Sequence, residues 1–598
     1  MKFSRLAEYF GQIESTSLRN AKTVILADIL REAEEGEVDK LVYLALGGLR
    51  PEFDRLEFNL AEKMILRAVA QSVGKLVGEI ESEYQQVGDL GELVVKFSNR
   101  KFSDSQMTIG QAYESLEKIA SDSGSGSQER KVSGLAKIIK MMDPQSAKYI
   151  VRMVAGKLRL GFSDKTVIDA LSYLENGTKD FSDRLETAYQ MRPDPGYLAQ
   201  RVKAVGVTKA IETMSIQIGT PIVPALAQRL KTPVEMIRKM GKVIVEKKFD
   251  GTRVQIHFSR KEDKGSELGA RKFGTMGTGS QASMFESVEE KPEFWVRTFT
   301  RNLDESSSMF PELQRIADQI KADEVILDSE AVGYDPNTGK MVPFQMTITR
   351  KRKHGIEEAS DTVPLRFFVF DIMYRDGKSL IGLPLHERRK ILSEVIGAGE
   401  VLKVDEYIET DDPDELREYH KKQLEAGLEG ALVKQIDGTY MPGRTGFNWV
   451  KFKEAEDSRA KLSDTIDVVI MGYYLGKGKR SGFGLGAFLV GVKHGEKVVT
   501  LAKVGTGITD EIFKDLNERL QTIKCDTQPS EYEVPKTLEP DVWVEPNIVV
   551  EVAADEITIS PTHSAGYALR FPRLVKFRDD KSVGQITTLE EIKTMLGI

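Results

Sequence analysis

The chain of 598 residues has a single cysteine, Cys525. One thiol makes no internal disulfide and no cysteine-based zinc site, so a disulfide scaffold is excluded and a reducing compartment is expected. Long apolar runs are missing as well. No stretch approaches the ~18 uncharged apolar residues that span a bilayer. The opening MKFSRLAEYFGQIEST carries Glu8 and Glu14 where a secretory leader needs an apolar core. The expected location is therefore the cytoplasm. A strong excess of one charge is also absent: 85 Lys and Arg against 92 Asp and Glu give a net charge of -7. An acidic total weighs mildly against a nucleic-acid partner, although local basic strips can hold phosphates on an acidic protein.

What is present is a soluble composition, 40% hydrophobic and 30% charged, in a chain too long for one core. Residues 1–215 read as mostly helical. Leu60, Met64, Ala68 and Val73 recur at helical spacing, as do Ile150, Val154 and Leu158. The polar Ser/Gly stretch 121–130 reads as a loop between helices. From 216 to 455 the texture changes to short β-rich runs with helical spacers such as PELQRIADQIKAD, an α+β pattern. A polar run at 454–464 suits a hinge. Beyond it, 456–598 holds further short strands that suggest a small barrel.

Candidate chemistry lies mainly in the middle region. In VIVEKKFDGTRVQIHF, Glu246, Lys248 and Asp250 share one face of a strand that ends at an Asp-Gly turn, with Val243, Val245 and Lys247 opposite. A lysine there points into an open cleft. It attacks only as the neutral amine, and Lys247, Arg253 or a bound cation would favour that form. Arg301 closes the strand WVRTFT, either as a phosphate contact or as an ion pair with Asp304 or Glu305. Glu330 and Asp328 share a face of an otherwise apolar strand, where carboxylates need partners or a metal. Phe370 in FFVFD either stacks on a base or packs in the core. In LEGALVK, a bulge at Gly430 would bring Glu429 and Lys434 to one cleft. Trp449, Lys451 and Lys453 share a strand face in WVKFK, which suits phosphate oxygens or guards an edge. RFPRLVKFRDDK carries Arg570, Arg573, Lys576, Arg578 and Lys581, opposed locally only by Asp579 and Asp580. It reads as a polyanion contact or a solvated strand.

The order of KFDGTR, TFTRNLDE, LDSEAV, FFVFD, LEGALVK, WVKFK and RFPRLVKFR resembles that of the covalent nucleotidyltransferases. PFQMTITRKRKHG and VEVAADEITISP narrow the resemblance to ATP-dependent DNA ligases of the archaeal and eukaryotic replicative type. KLRLGFSDKTVIDAL resembles the helical DNA-binding domain that these ligases carry and capping enzymes lack. The resemblance implies a multidomain α and α+β fold: an all-α DNA-binding domain (1–215), an α+β adenylation domain (216–455) and a C-terminal OB-fold β-barrel (456–598). It implies sealing of nicked duplex DNA with ATP through lysyl-AMP on Lys248. Arg253 and Arg301 would contact the nucleotide and the nick phosphate. Glu330 would bind ribose or metal, Glu429 metal, and Glu246 the adenine side. Phe370 would stack on adenine, Lys434, Lys451 and Lys453 would grip the α-phosphate, and Arg570 and Arg573 would orient pyrophosphate. Mg²⁺, with Mn²⁺ as substitute, is the implied metal. A monomer and a sliding-clamp partner are further expectations. The segment 261–294 departs from the family as an insertion, and Lys576 stands where relatives carry arginine. An RNA ligase or capping enzyme and a non-catalytic DNA-binding scaffold are the rival readings. A cysteine-zinc NAD-dependent ligase does not fit one cysteine.

Overall fold

The structure is a computed structural model. It describes residues 1–98, 106–158, 160–230, 232–261, 294–342, 363–443, 446–452, 465–476, 484–554 and 556–596. The insertion at 262–293, the stretch 343–355, Lys453 and the expected hinge 454–464 lie outside the described residues. The chain divides into two compact units, Met1–Lys453 and Glu454–Ile598.

The first unit begins with helices that run from Phe3–Glu14 to Val207–Thr213 around one apolar core. Their ends are set by local chemistry. Asp89, Thr108, Asp143 and Asp194 each accept a backbone N–H as N-caps, and Pro144 and Pro195 stand at first-turn positions. Two patterns read as continuous helices are interrupted. Glu62–Val73 and Val77–Val87 are separate, with Gly74 at φ 69° between them. Pro144–Val154 ends before Gly156 (φ 64°), and Leu158 is buried from beyond the helix. The polar loop is narrower than 121–130, because a helix already starts at Ser127.

The strands that follow are β1 (Gln228–Leu230), β2 (Val243–Lys247), β3 (Thr252–Ser259), β4 (Trp295–Thr300), β5 (Glu324–Gly333) and β6 (Leu365–Arg375). Then come β7 (Lys378–Ser379), β8 (Leu402–Val404), β9 (Tyr407–Thr410), β10 (Ala431–Gln435) and β11 (Trp449–Phe452). They form two sheets. One has the order β1-β11-β10-β2-β9; the other has β4-β3-β5-β6-β7, with β8 beside β6. PELQRIADQIKAD forms short 3-10 turns rather than an α-helix.

Alternation assigns the faces. Val243, Val245, Ala431, Val433, Val450 and Phe452 bury one face of the first sheet with Met236 and Leu416 from the helices Pro233–Met240 and Pro413–Glu425. The opposite face carries Ile244, Glu246, Leu432, Lys434, Trp449 and Lys451 in register. The second sheet packs Val325, Leu327, Phe367 and Val369 against the helix Leu385–Val395. Its other face sends Ile326, Phe370 and Met373 into a small core shared with Trp449 of the first sheet. The polar candidates therefore lie where the two sheets face each other.

The second unit is β-rich, with strands β12 (Ile466–Tyr474), β13 (Ala487–His494), β14 (Lys497–Val504), β15 (Lys524–Cys525), β16 (Tyr532–Glu533), β17 (Val542–Val544), β18 (Val549–Ala553), β19 (Glu556–Ile559), β20 (Tyr567–Arg570) and β21 (Arg573–Phe577). The central path is β15-β17-β12-β13-β14-β16, with β18 joining β12 to β21.

Candidate active site

Lys248 follows β2 directly. Its N–H donates to Gly430 O at 3.0 Å, and its carbonyl accepts from Glu429 N–H at 3.1 Å. Gly430 adopts φ 112°, and a Cβ there would lie 2.3 Å from the His420 ring. Only glycine fits, and the irregular step turns Glu429 back so that its carboxylate pairs with the Lys248 ammonium. Glu330 approaches from β5. Burial pushes its carboxyl up to about 7, against the pull of Arg253 and Lys248. The Asp250-Gly251 turn lies close against this strand: a Cβ on Gly251 would stand 2.6 Å from Ala331 O and 2.8 Å from Glu330 Cγ. The cations expected to activate Lys248 are engaged elsewhere. Lys247 pairs with Glu406 at 2.7 Å, and Arg253 with Asp328. The partner at hand is a carboxylate, which holds the ammonium form until its charge is taken up by something else.

Arg253 sits in a saturated knot. Its Nε and Nη2 donate to the two Asp328 oxygens at 2.9 and 2.6 Å, and Nη1 donates to Ala225 O at 2.6 Å. The Tyr440 hydroxyl donates to Asp328 at 2.8 Å and accepts from Ala225 N–H at 3.1 Å. Burial works against the guanidinium charge, yet Asp328 more than restores it, so the group titrates above its ordinary value. Upstream, Gly219 N–H donates to His257 Nδ1 at 3.0 Å, which leaves His257 Nε2 to donate to Gln255 Oε1 at 2.9 Å. Gln255 in turn exchanges both amide bonds with Ile222. The strap 219–225 is thereby fixed onto β3.

A second buried group lies two residues before Lys248. Glu246, 1% exposed, pairs with Lys434 Nζ at 2.6 Å and lies 3.5 Å from Arg389 Nη1. Lys434 is fully buried, over the rings of Phe370 and Trp449. Burial, and then the Glu246 charge, pushes the nearby Asp405 carboxyl well above the usual carboxylate range.

Comparison with known proteins agrees with this geometry. The DNA ligase N-terminus family matches residues 2–172, the ATP-dependent DNA ligase domain family 290–453, and the ATP-dependent DNA ligase C-terminal region 481–581. A probable DNA ligase of Dictyoglomus thermophilum is 40% identical over 606 residues, covering 100% of this chain and 97% of that protein. The DNA ligase of Sulfolobus acidocaldarius is 34% identical, covering 100% and 98%. The chain belongs to the ATP-dependent DNA ligases. A solved structure named Pmar-Lig_Pre, 16% identical, covers 96% of this chain and 99% of its own with a TM-score of 0.52, which shows a shared fold.

Several residues expected at a ligase nucleotide site are engaged with other side chains of the protein. Phe370 is 7% exposed, edge-on to Trp449 and beneath Lys434, in the small core between the two sheets. A bulge causes this: Asp328 pairs with Asp371 and Ser329 with Val369, which leaves Phe370 without a strand partner. The aromatic opposite Glu330 is the half-buried Phe368, stacked on Phe249 at 4.3 Å. Lys434 does not line an open cleft, because it is buried against Glu246. Arg253 spends its fork on Asp328 and Ala225. Arg301 is exposed in the turn after β4, and the ion pair with Asp304 or Glu305 does not form. Lys451 shares the inner face of the first sheet as expected.

In the second unit, Arg570 and Arg573 are exposed on either side of Phe571, which has φ 52°. The other cations of the strip form ion pairs, three of them with Glu551 or Asp467, which are distant in sequence. Lys576 meets Glu551 at 3.3 Å, Arg578 meets Asp467 and Asp580 at 2.8 Å, and Lys581 meets Asp467 at 2.5 Å.

Proposed function

We propose that this chain seals nicks in duplex DNA with ATP, and that Lys248 carries the AMP. The observation behind this is Lys248 at a strand end between two carboxylates, Glu429 and Glu330, in a chain of the ligase family. In the proposed sequence, Lys248 Nζ attacks the α-phosphorus of ATP and expels pyrophosphate. The 5′-phosphate of the nick then attacks lysyl-AMP and frees the amine. Last, the 3′-hydroxyl attacks the activated 5′-phosphate and releases AMP. A covalent intermediate divides one hard condensation into feasible displacements.

Mg²⁺ fits the donors present. Among the described residues no group of three or more His, Cys, Asp or Glu forms a complete cage. Two carboxylates with substrate phosphates completing the shell is the usual Mg²⁺ arrangement. Glu330 and Glu429 would hold it, and it would supply stabilisation of charge on the phosphate oxygens. With Glu429 so engaged, Lys248 would lose its counter-ion, which would favour the neutral amine. Phe370, beneath Lys434 between the two sheets, would stack on the adenine. Glu246 faces the adenine, Lys451 and Lys453 the α-phosphate, and Arg570 and Arg573 the pyrophosphate. Residues 1–215 would grip the duplex by its backbone. The cytoplasm is the proposed location; no described helix is long and apolar enough to cross a membrane.

The test is self-adenylation. Protein freed of bound AMP is mixed with Mg²⁺ and ATP labelled at the α-phosphate, denatured and run on a gel. Label that is absent from Lys248→Ala and chased by nicked DNA is the expected result. An unlabelled wild type would remove this reading and favour a DNA-binding scaffold.

A further inference from the structure

Phe53 is buried, 8% exposed, on the 3-10 turn Glu52–Asp54, yet it is not part of the apolar core of the helices around it. Its ring stands edge-on to Phe299 of β4, with centroids 6.3 Å apart and planes at 89°. Phe299 is 2% exposed and belongs to none of the apolar cores of the two sheets. Two large aromatics are therefore buried at the junction between the helices and the sheets, in the edge-to-face contact that such rings favour.

Phe299 passes this contact to β3. It also meets the His257 ring edge-on, at 5.0 Å and 79°. His257, Gln255 and Arg253 alternate along β3 and so share one face. Each holds the backbone of the strap at a point three residues from the next: His257 at Gly219, Gln255 at Ile222 and Arg253 at Ala225. Burial pushes the His257 pKa down to about 3, so the neutral ring has one donor and one acceptor, and both are used. The helices hold the same strap. Gln190 O accepts from Val223 N–H at 2.9 Å, and Met191 packs against both the helical core and the core between the sheets. Arg253 lies opposite Glu330 in register, and Glu330 feels the Lys248 charge. The place of β3 beside Lys248 is thus set in part from the helical part of the chain.

We propose that Phe53 is a positioning residue for transfer of the nucleotide to Lys248: through Phe299 and His257 it seats β3, so that the helices order the nucleotide site before any DNA is bound. This rests on the nucleotide site proposed above. The adenine side of that site is carried by β2, β6 and β10, so a shift of β3 should misalign the reacting groups rather than weaken nucleotide binding. A misplacement of about 1 Å can cost about 100-fold in rate.

The experiment measures self-adenylation without DNA, in single turnover, with the full chain freed of AMP. Wild type, Phe53→Ala, Phe299→Leu and the double variant are compared below the temperature at which each begins to unfold. Affinity for nicked duplex is measured in parallel. The expected result for Phe53→Ala is a drop of about tenfold or more in the labelling rate at saturating ATP. The ATP concentration for half-saturation and the affinity for the nick should each change less than about twofold. The two single effects should also fail to add in the double variant. If Phe53→Ala does not fold, Phe53→Leu takes its place, with a drop of about threefold or more expected. A folded variant that labels at the wild-type rate overturns the inference, as does a loss confined to DNA affinity or full additivity with Phe299→Leu. A wild type that accepts no label overturns the site reading instead.

Discussion

Asp328 and Glu330 are two residues apart on β5 and face the same side, opposite Gln255 and Arg253. Their surroundings differ. Asp328 has both oxygens filled by Arg253, with Tyr440 as a further donor, and these bonds fasten the strap 219–225 to the sheets. Glu330 is half-buried without a matching set of donors, and its carboxyl is pushed up to about 7. A saturated buried network costs little and serves architecture. An under-satisfied carboxyl beside a nucleophile costs stability and is held ready for a ligand. Lys248 belongs with the second kind, since its pairing with Glu429 is partly solvated.

This contrast predicts opposite outcomes. Lys248→Ala should cost on the order of 10⁴-fold or more in nick sealing, as nucleophile deletions do. Its stability should stay within about 1 kcal/mol, because half-exposed pairs contribute little. Asp328→Ala should do the reverse. It strands the Arg253 charge inside the protein and should cost about 4 kcal/mol in urea unfolding. An Asp328→Ala protein as stable as wild type, or a Lys248→Ala protein that unfolds early, would erase the distinction.

The same division explains what could be read from the sequence. The faces of β2, β5 and β11 were legible because alternation needs only local residues, and the run of short motifs pointed to Lys248, Glu330 and Glu429, which lie together in the structure. The irregular step at Gly430 was legible for a similar reason: glycine in a strand is a local mark. Arg388, Arg389, Tyr440 and Asp405 were not. Their roles depend on register and on which helix covers which sheet, so HERRKIL reads as an ordinary charged helix although Arg388 and Arg389 are both buried. The bulge at Phe370 was not legible, because it depends on the partner strand. The ion pairs of the basic strip at 570–581 were not legible, because Asp467 and Glu551 reach it from distant strands.

Gly430 sharpens the comparison from the backbone side. Alanine there would be strained at φ 112° and would meet His420, which lies 4.0 Å from the Phe452 ring centroid. A loss of about 4 kcal/mol is expected from strain plus overpacking. Self-adenylation should fall with it even at temperatures where the variant is folded, because Glu429 is turned towards Lys248 by that residue. A folded Gly430→Ala protein that labels normally would mean that Glu429 reaches the lysine by another route.

The smallest effect is the one that isolates Glu330. Its carboxyl binds a proton more tightly in the folded chain, about 7 against an ordinary value of 4.5. Stability from this group is therefore fully present below about pH 4.5 and is lost as pH rises through about 7. Glu330→Gln is neutral throughout, and every other carboxylate is common to both proteins. The stability of wild type relative to Glu330→Gln should thus fall by about 2 kcal/mol between pH 5 and pH 7. Self-adenylation by the wild type should rise over the same interval, because only the ionised carboxylate is a hard oxygen donor for a cation. A stability difference that stays flat from pH 5 to pH 7 would mean that Glu330 is as well accommodated as Asp328, and the division between structural and reactive carboxylates on β5 would have to be abandoned.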